Sequence, residues 1–228
     1  MSNQHILSSF DHAIRTLREE VLAMGDRARH NLERAMQSLL ERNSELANMV
    51  IADDDEVDEA EMRIDRLGMD MLVRFHPVAT DLRMVISSMR ISVNLERIAD
   101  HATSIAKRAR KINNHAELAD VNLVEPLYRM AYQLLSEAIT AYAGHDSSAG
   151  ASLATKDKEL DRMHKAINVT LGKRLESGTG RSEDYLHLVF VVRSLERIGD
   201  LSVNIGEDTV YLEEARDIRH DHGQQPGN

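Results

Sequence analysis

The feature that most constrains this chain is a long internal repeat. Leu95-Glu96-Arg97-Ile98-Ala99-Asp100 recurs as Leu195-Glu196-Arg197-Ile198-Gly199-Asp200, one hundred residues later, and Ser104-Ile105 falls on Asn204-Ile205 at the same offset. Upstream, Asp54-Asp55-Glu56-Val57-Asp58 aligns with Asp157-Lys158-Glu159-Leu160-Asp161, now 103 residues apart, so the two copies differ by three residues between these segments. A period of this length is a duplicated domain and not a solenoid unit.

Within each copy apolar residues recur at helical spacing, and the informative marks are the interruptions. Asn43-Ser44 reads as a helix cap, His76-Pro77 as a turn, and 113–120 as a polar connection. Gly144 to Ser147 ends another helix, and Ser177-Gly178-Thr179-Gly180 is a turn, with Ser182 as the next cap. These breaks predict helices over 9–42, 45–75, 78–112, 121–143, 148–176 and 183–216. Short connections force neighbouring helices antiparallel, so the expected fold is all-α: two tandem three-helix bundles, 1–115 and 116–220, with a frayed tail over 221–228. Aromatic residues at 4% and only three prolines favour long helices over sheets. The eleven methionines, scattered through apolar positions, read as core filler.

Charge and composition exclude several functions. A net charge of -10 disfavours nucleic acid and anionic lipid over most of the surface. The absence of cysteine removes disulfides, thiolate nucleophiles and thiolate metal sites. The longest apolar run, Leu188 to Val192, is far short of the roughly 20 residues of a membrane span, and no signal-peptide pattern opens the chain. A cytoplasmic location is the expectation.

The acids carry the functional reading. Asp54/Asp58, Glu96/Asp100, Asp157/Asp161 and Glu196/Asp200 are all spaced i, i+4, which sets both members of a pair on one helix face, about 5–6 Å apart. In the first copy the two pairs are placed symmetrically about Pro77, and in the second about the Gly178 loop. Antiparallel helices therefore bring four carboxylates to one level in each half. Four facing anions require solvent, protons or cations, and a metal ion is the economical partner. Oxygen-only donors suit magnesium, manganese, zinc or iron, whether divalent or trivalent. A solvated acidic face is the alternative. Glu61/Asp65 share the spacing but lack the mirror, and His164 replaces Glu61 in the second copy, where it reads as a surface histidine. Arg97 and Arg197 can orient carboxylates or bind an anion.

The repeated Leu-Glu-Arg-Ile-x-Asp, with Asn94 and Asn204 beside it and the turn Arg74-Phe75-His76-Pro77-Val78-Ala79-Thr80-Asp81-Leu82-Arg83, resembles the PhoU family of phosphate uptake regulators, from the first helix to Arg219-His220. The resemblance implies a pair of three-helix bundles with metal ions on the repeated acid motifs. It also implies a homodimeric cytoplasmic adaptor, not an enzyme, that links the ATP-binding subunit of a phosphate ABC transporter to a phosphate-sensor histidine kinase and so touches the membrane only through partners. Where the second copy has Asn204 and Glu207, the first has Ser104 and Lys107, so the first acid cluster is expected to be the weaker. A carboxylate-bridged oxidase is the rival function, but no glutamate has a histidine three residues later, as such sites use. A metal-free helical scaffold is a third.

Overall fold

The computed structural model describes residues 2–178 and 180–219, with side chains from Ser8 onward; the tail expected at 221–228 and Thr179 of the glycine turn lie outside the described residues. Among them the structure is helical, without a strand. The elements are α1 (Ser2–Leu40), α2 (Ser44–Ala52), α3 (Asp54–Phe75), α4 (Ala79–Asn113), a short 3-10 helix (Ala119–Val124), α5 (Glu125–Gly144), α6 (Ser147–Glu176) and α7 (Ser182–Glu214).

Most boundaries have a local cause. Asn43 accepts hydrogen bonds from the backbone N–H groups of Glu45 and Leu46, and Asp146 accepts one from Ala149, so each opens its helix as a side-chain cap. His76 and His145 close α3 and α5 in the left-handed conformation, at φ 48° and 55°. Pro126 sits in the first turn of α5, where its missing N–H costs nothing. Ser182 does not cap α7: it is the first helical residue, and Arg181 occupies the cap position without a side-chain bond. The stretch expected as one helix over 45–75 is two, because the chain breaks at Asp53, whose carboxylate accepts a hydrogen bond from Arg34 of α1 at 2.6 Å.

α4 and α7 form the centre. α1, α2 and α3 pack around α4, and α5 and α6 pack around α7, while α4 and α7 also pack against each other. They run antiparallel: Arg83 Nε donates to the Leu212 carbonyl at 3.0 Å near one end, and His115 Nδ1 meets Asp184 Oδ1 at 2.7 Å near the other. A second seam joins α1 to α5, where Arg18 donates to the Ala143 carbonyl. A single apolar core therefore runs through both halves, from Leu17, Met24 and Leu32 through Ile98 and Leu135 to Leu195 and Ile205. The central position of α7 explains why Ser202, Thr209, Glu207 and Asp208 are buried along with its apolar residues.

The methionines are not all core. Met24, Met36, Met71 and Met84 are buried, but Met49, Met62 and Met69 are about half exposed on α2 and α3. Helical periodicity alone does not separate these, because each lies on a helix with a single buried stripe.

Candidate metal centre

Asp54 and Asp58 stand at the start of α3, just past the break at Asp53, and Glu96 and Asp100 stand midway along α4. These acids do approach one another. Partial desolvation and then Asp54 and Asp100 raise the carboxyl of Asp58 above its ordinary range. Glu96 is pushed up to about 7, by desolvation first and then by Asp100, Asp58 and Glu61. Asp100 is raised by desolvation and by Asp54, against an opposing pull from Lys107 and a hydrogen bond with Glu96. Lys107 thus lies within electrostatic reach of the first cluster, as its position one helical stretch beyond Asp100 suggested.

The register between α3 and α4 is displaced by about one turn from symmetry about Pro77. Thr103, one turn beyond Asp100, donates to Asp54 at 2.9 Å, and Met89 packs over Gly68, three residues past Asp65, its mirror position. His76 and Ala79 both have positive φ, at 48° and 50°, so the connection enters α4 lopsidedly and equal counting from the proline fails. The displacement brings Glu61 toward Glu96. Glu61, which sequence symmetry set aside, therefore belongs to this cluster; its own carboxyl is raised by desolvation, Asp65 and Asp58. Its signal was its place three residues after Asp58, on the same face of α3.

In the second half Asp157 and Asp161 lie on α6 and Glu196 and Asp200 on α7. Here the mirror register holds. Gly150 and Gly206 meet backbone to backbone, and the carboxylate of Asp157 lies so close to Gly199 that a Cβ there would be 2.8 Å from its Oδ1. Desolvation, then Asp200, raise Glu196; desolvation raises Asp200, with Asp161 adding to it. Arg197 opposes both shifts. Its Nη1 donates to Asp200 Oδ2 at 2.9 Å and its Nε lies 3.5 Å from Glu196 Oε2. His164 also opposes both and is half-buried, with its Nε2 2.8 Å from Asn168 Nδ2. It thus stands within electrostatic reach of the cluster.

Asp157, Asp161 and Asp200 line a cavity of about 900 Å³ between α4, α6 and α7, which also takes Arg90, Arg97 and Arg219. Among the described residues no group of three or more histidine, aspartate and glutamate side chains is arranged so that it could hold a metal ion as it stands. The donor chemistry suits a hard cation nonetheless: the first half assembles Asp58, Glu61, Glu96 and Asp100, mutually raised, and protonation or a cation relieves that repulsion.

Fold and site together define a duplicated α-helical bundle with an acid cluster between two helices of each half. The PhoU domain matches the chain twice, over 21–109 and 124–209. The chain belongs to the PhoU family. Among curated relatives, a phosphate-specific transport system accessory protein PhoU homolog from Pseudomonas aeruginosa is 32% identical over 217 residues, covering 95% of this chain and 90% of its own. The corresponding PhoU of Escherichia coli is 30% identical over 224 residues, covering 98% and 92%. The crystal structure of Pseudomonas aeruginosa PhoU superposes with a TM-score of 0.88 at 31% identity, covering 91% of this chain and all of that one. That of the phosphate transport system regulatory protein PhoU from Streptococcus pneumoniae gives 0.84 at 25% identity, covering 91% and 98%.

Proposed function

We propose that this chain is a cytoplasmic accessory regulator of phosphate uptake, without catalytic activity of its own, that carries metal ions at its two acid clusters. The observation that supports it most is the double family match, which spans both halves and joins the chain to relatives named as accessory proteins of a phosphate-specific transport system. The same pair of matches supports a division of the chain near residue 115.

Asp54, Asp58, Glu96 and Asp100, joined by Glu61, would hold metal in the first half; Asp157, Asp161, Glu196 and Asp200 would do so in the second. When bound, zinc, iron, manganese or magnesium supplies positive charge that lets the carboxylates stay ionised side by side. In the second half Arg197 already supplies part of that charge. A role of this kind needs rigid helices and a charged surface that a partner can read; the ATP-binding subunit of a phosphate ABC transporter and a phosphate-sensor histidine kinase are the proposed partners, with the chain itself as a homodimer. No helix among the described residues is long and apolar enough to cross a membrane.

The test is genetic. Deleting the gene should derepress phosphate-starvation reporters in phosphate-rich medium, and a copy with the acids of both clusters replaced by amides should restore repression poorly. Unchanged reporter output on deletion overturns the regulatory reading; metal analysis of chelator-free preparations tests the metal reading separately.

A further inference from the structure

The crossing of α4 and α7 carries two pockets whose helical walls are related by the internal repeat. The large cavity takes Arg90, Val93, Asn94 and Arg97 from α4 and Arg197, Leu201, Asn204 and Asp208 from α7. A smaller pocket, about 320 Å³, takes Arg97, His101, Ser104 and Arg108 from α4 and Phe190, Arg193, Ser194 and Arg197 from α7. Moving one hundred residues along the chain converts Arg90, Val93, Asn94 and Arg97 into the α7 wall of the small pocket, and the small pocket's α4 wall into Arg197, Leu201, Asn204 and Asp208 of the large one, so a pseudo-twofold axis passes between Arg97 and Arg197.

The two pockets have opposite chemistry. Asp208 in the large pocket is Arg108 in the small one, and Val93 is Arg193; His101, the counterpart of Leu201, lines both. The large pocket is lined also by Asp157, Asp161 and Asp200, whereas no carboxylate lines the small one. On a chain of net charge -10, the small pocket gathers four arginines.

Three of these four cations make no ion pair among the described residues, while Arg197 is bonded to Asp200 and lies beside Glu196. Arg97 and Arg193 are exposed. Arg108 is laid against Phe190, with its guanidinium carbon 4.0 Å from the ring centre, and its buried Nε has no hydrogen-bond partner. His101 lines the same pocket as Arg97, Arg193 and Arg197. Two hydroxyls, Ser104 and the nearly buried Ser194, complete the lining.

We propose that this pocket binds a phosphoryl oxyanion, either inorganic phosphate or a phosphomonoester. Guanidinium forks match phosphoryl oxygens in geometry and charge. Donors from both helices approach from more than one side, which suits a tetrahedral group better than the planar edge of a carboxylate. The ring of Phe190 holds Arg108 in place before the ligand arrives, which lowers the entropy lost on binding. The inference does not depend on metal in the acid clusters.

Calorimetric titration of the full chain, in chloride buffer without divalent cations, tests it with inorganic phosphate and with phosphoserine as probes. At least one probe should bind saturably, and Arg97→Gln or Arg193→Gln should weaken it by about tenfold or more, the loss of one charge-assisted contact, with an unchanged unfolding midpoint. Arg90→Gln, in the large pocket, should leave binding intact. Binding of both probes points to the free anion, and binding of phosphoserine alone to an ester. Absence of saturable binding of either probe at millimolar concentration, binding that survives the Arg97→Gln/Arg193→Gln double variant, or equal weakening by Arg90→Gln overturns the proposal.

Discussion

Gly150 and Gly206 bring α6 and α7 into backbone contact: a Cβ on either residue would lie 2.7 or 2.6 Å from the other's carbonyl oxygen. The contact sets the helix register that seats Asp157 against Gly199. Gly206→Ala should therefore lower stability by about 1–3 kcal/mol, because overpacking outweighs the gain of up to about 1 kcal/mol from helix propensity. Gly172, in the same α6 but with open space around its Cα, should give the opposite sign on substitution by alanine. Urea unfolding of the two variants checks both, and a neutral Gly206→Ala would refute the close approach.

Tyr142 of α5 and Ser88 of α4 share a buried hydrogen bond at 2.7 Å across the junction of the two halves. Tyr142→Phe should cost about 1–2 kcal/mol, since it leaves the Ser88 hydroxyl with only the Met84 sulfur, 3.8 Å away. Ser88→Ala in the same background should then add little, which a double-mutant cycle measures.

Asp208, in the large cavity beside Arg90, supplies a pH test. Burial raises its carboxyl to about 6 despite Arg90 at 3.6 Å, against an ordinary value of 3.8. A raised acid holds its proton more tightly when folded, so the folded state loses relative stability as pH climbs from the unfolded value to the folded one. The contribution is on the order of 2–3 kcal/mol, lost between about pH 4 and 6 and flat above. Asp208→Asn cannot ionise. Its stability relative to wild type should rise by that order between pH 4 and 7 in chemical denaturation, and a difference independent of pH would contradict the burial argument.

If both acid clusters take metal as proposed, Glu61 and Arg197 lead us to expect the first to bind the tighter, against the expectation drawn from Lys107 alone. Arg197 is bonded within the second cluster, whereas the first gains Glu61 as an additional carboxylate. Glu96→Gln with Asp100→Asn should lower bound metal per chain more than Glu196→Gln with Asp200→Asn. Added manganese or zinc should raise the unfolding midpoint of wild type by mass action, and less so in the first double variant. Mass spectrometry for metal content and thermal scans decide it.

The fold was largely legible in the sequence because its breaks carry local chemistry: Asn43 caps with its own side chain, and His76, Pro77 and Gly178 act through their own backbones. The eight acids were legible as two groups because duplication printed the pattern twice. What was hidden depends on packing between elements. The break at Asp53 comes with a bond from Arg34 on another helix, the arrival of Glu61 depends on how the His76–Ala79 connection tilts, and the exposure of Met62 and Met69 depends on which stripe of α3 faces inward. Of the small arginine pocket only Arg97 and Arg197 were legible, since its two walls are about a hundred residues apart and meet only where α4 crosses α7.

The pseudo-twofold axis between Arg97 and Arg197 has a consequence for how such a protein can change. In an assembly of two identical half-length chains, a substitution at one end of the crossing is imposed at the other end as well. An arginine that improves one pocket would appear in both, and an acid needed in one would spoil the other. Joining the halves in one chain frees the two positions from each other, so residue 108 can be arginine while residue 208 is aspartate. One side of a single crossing can then specialise in anions while the other keeps company with carboxylates, a division of labour that exact symmetry forbids.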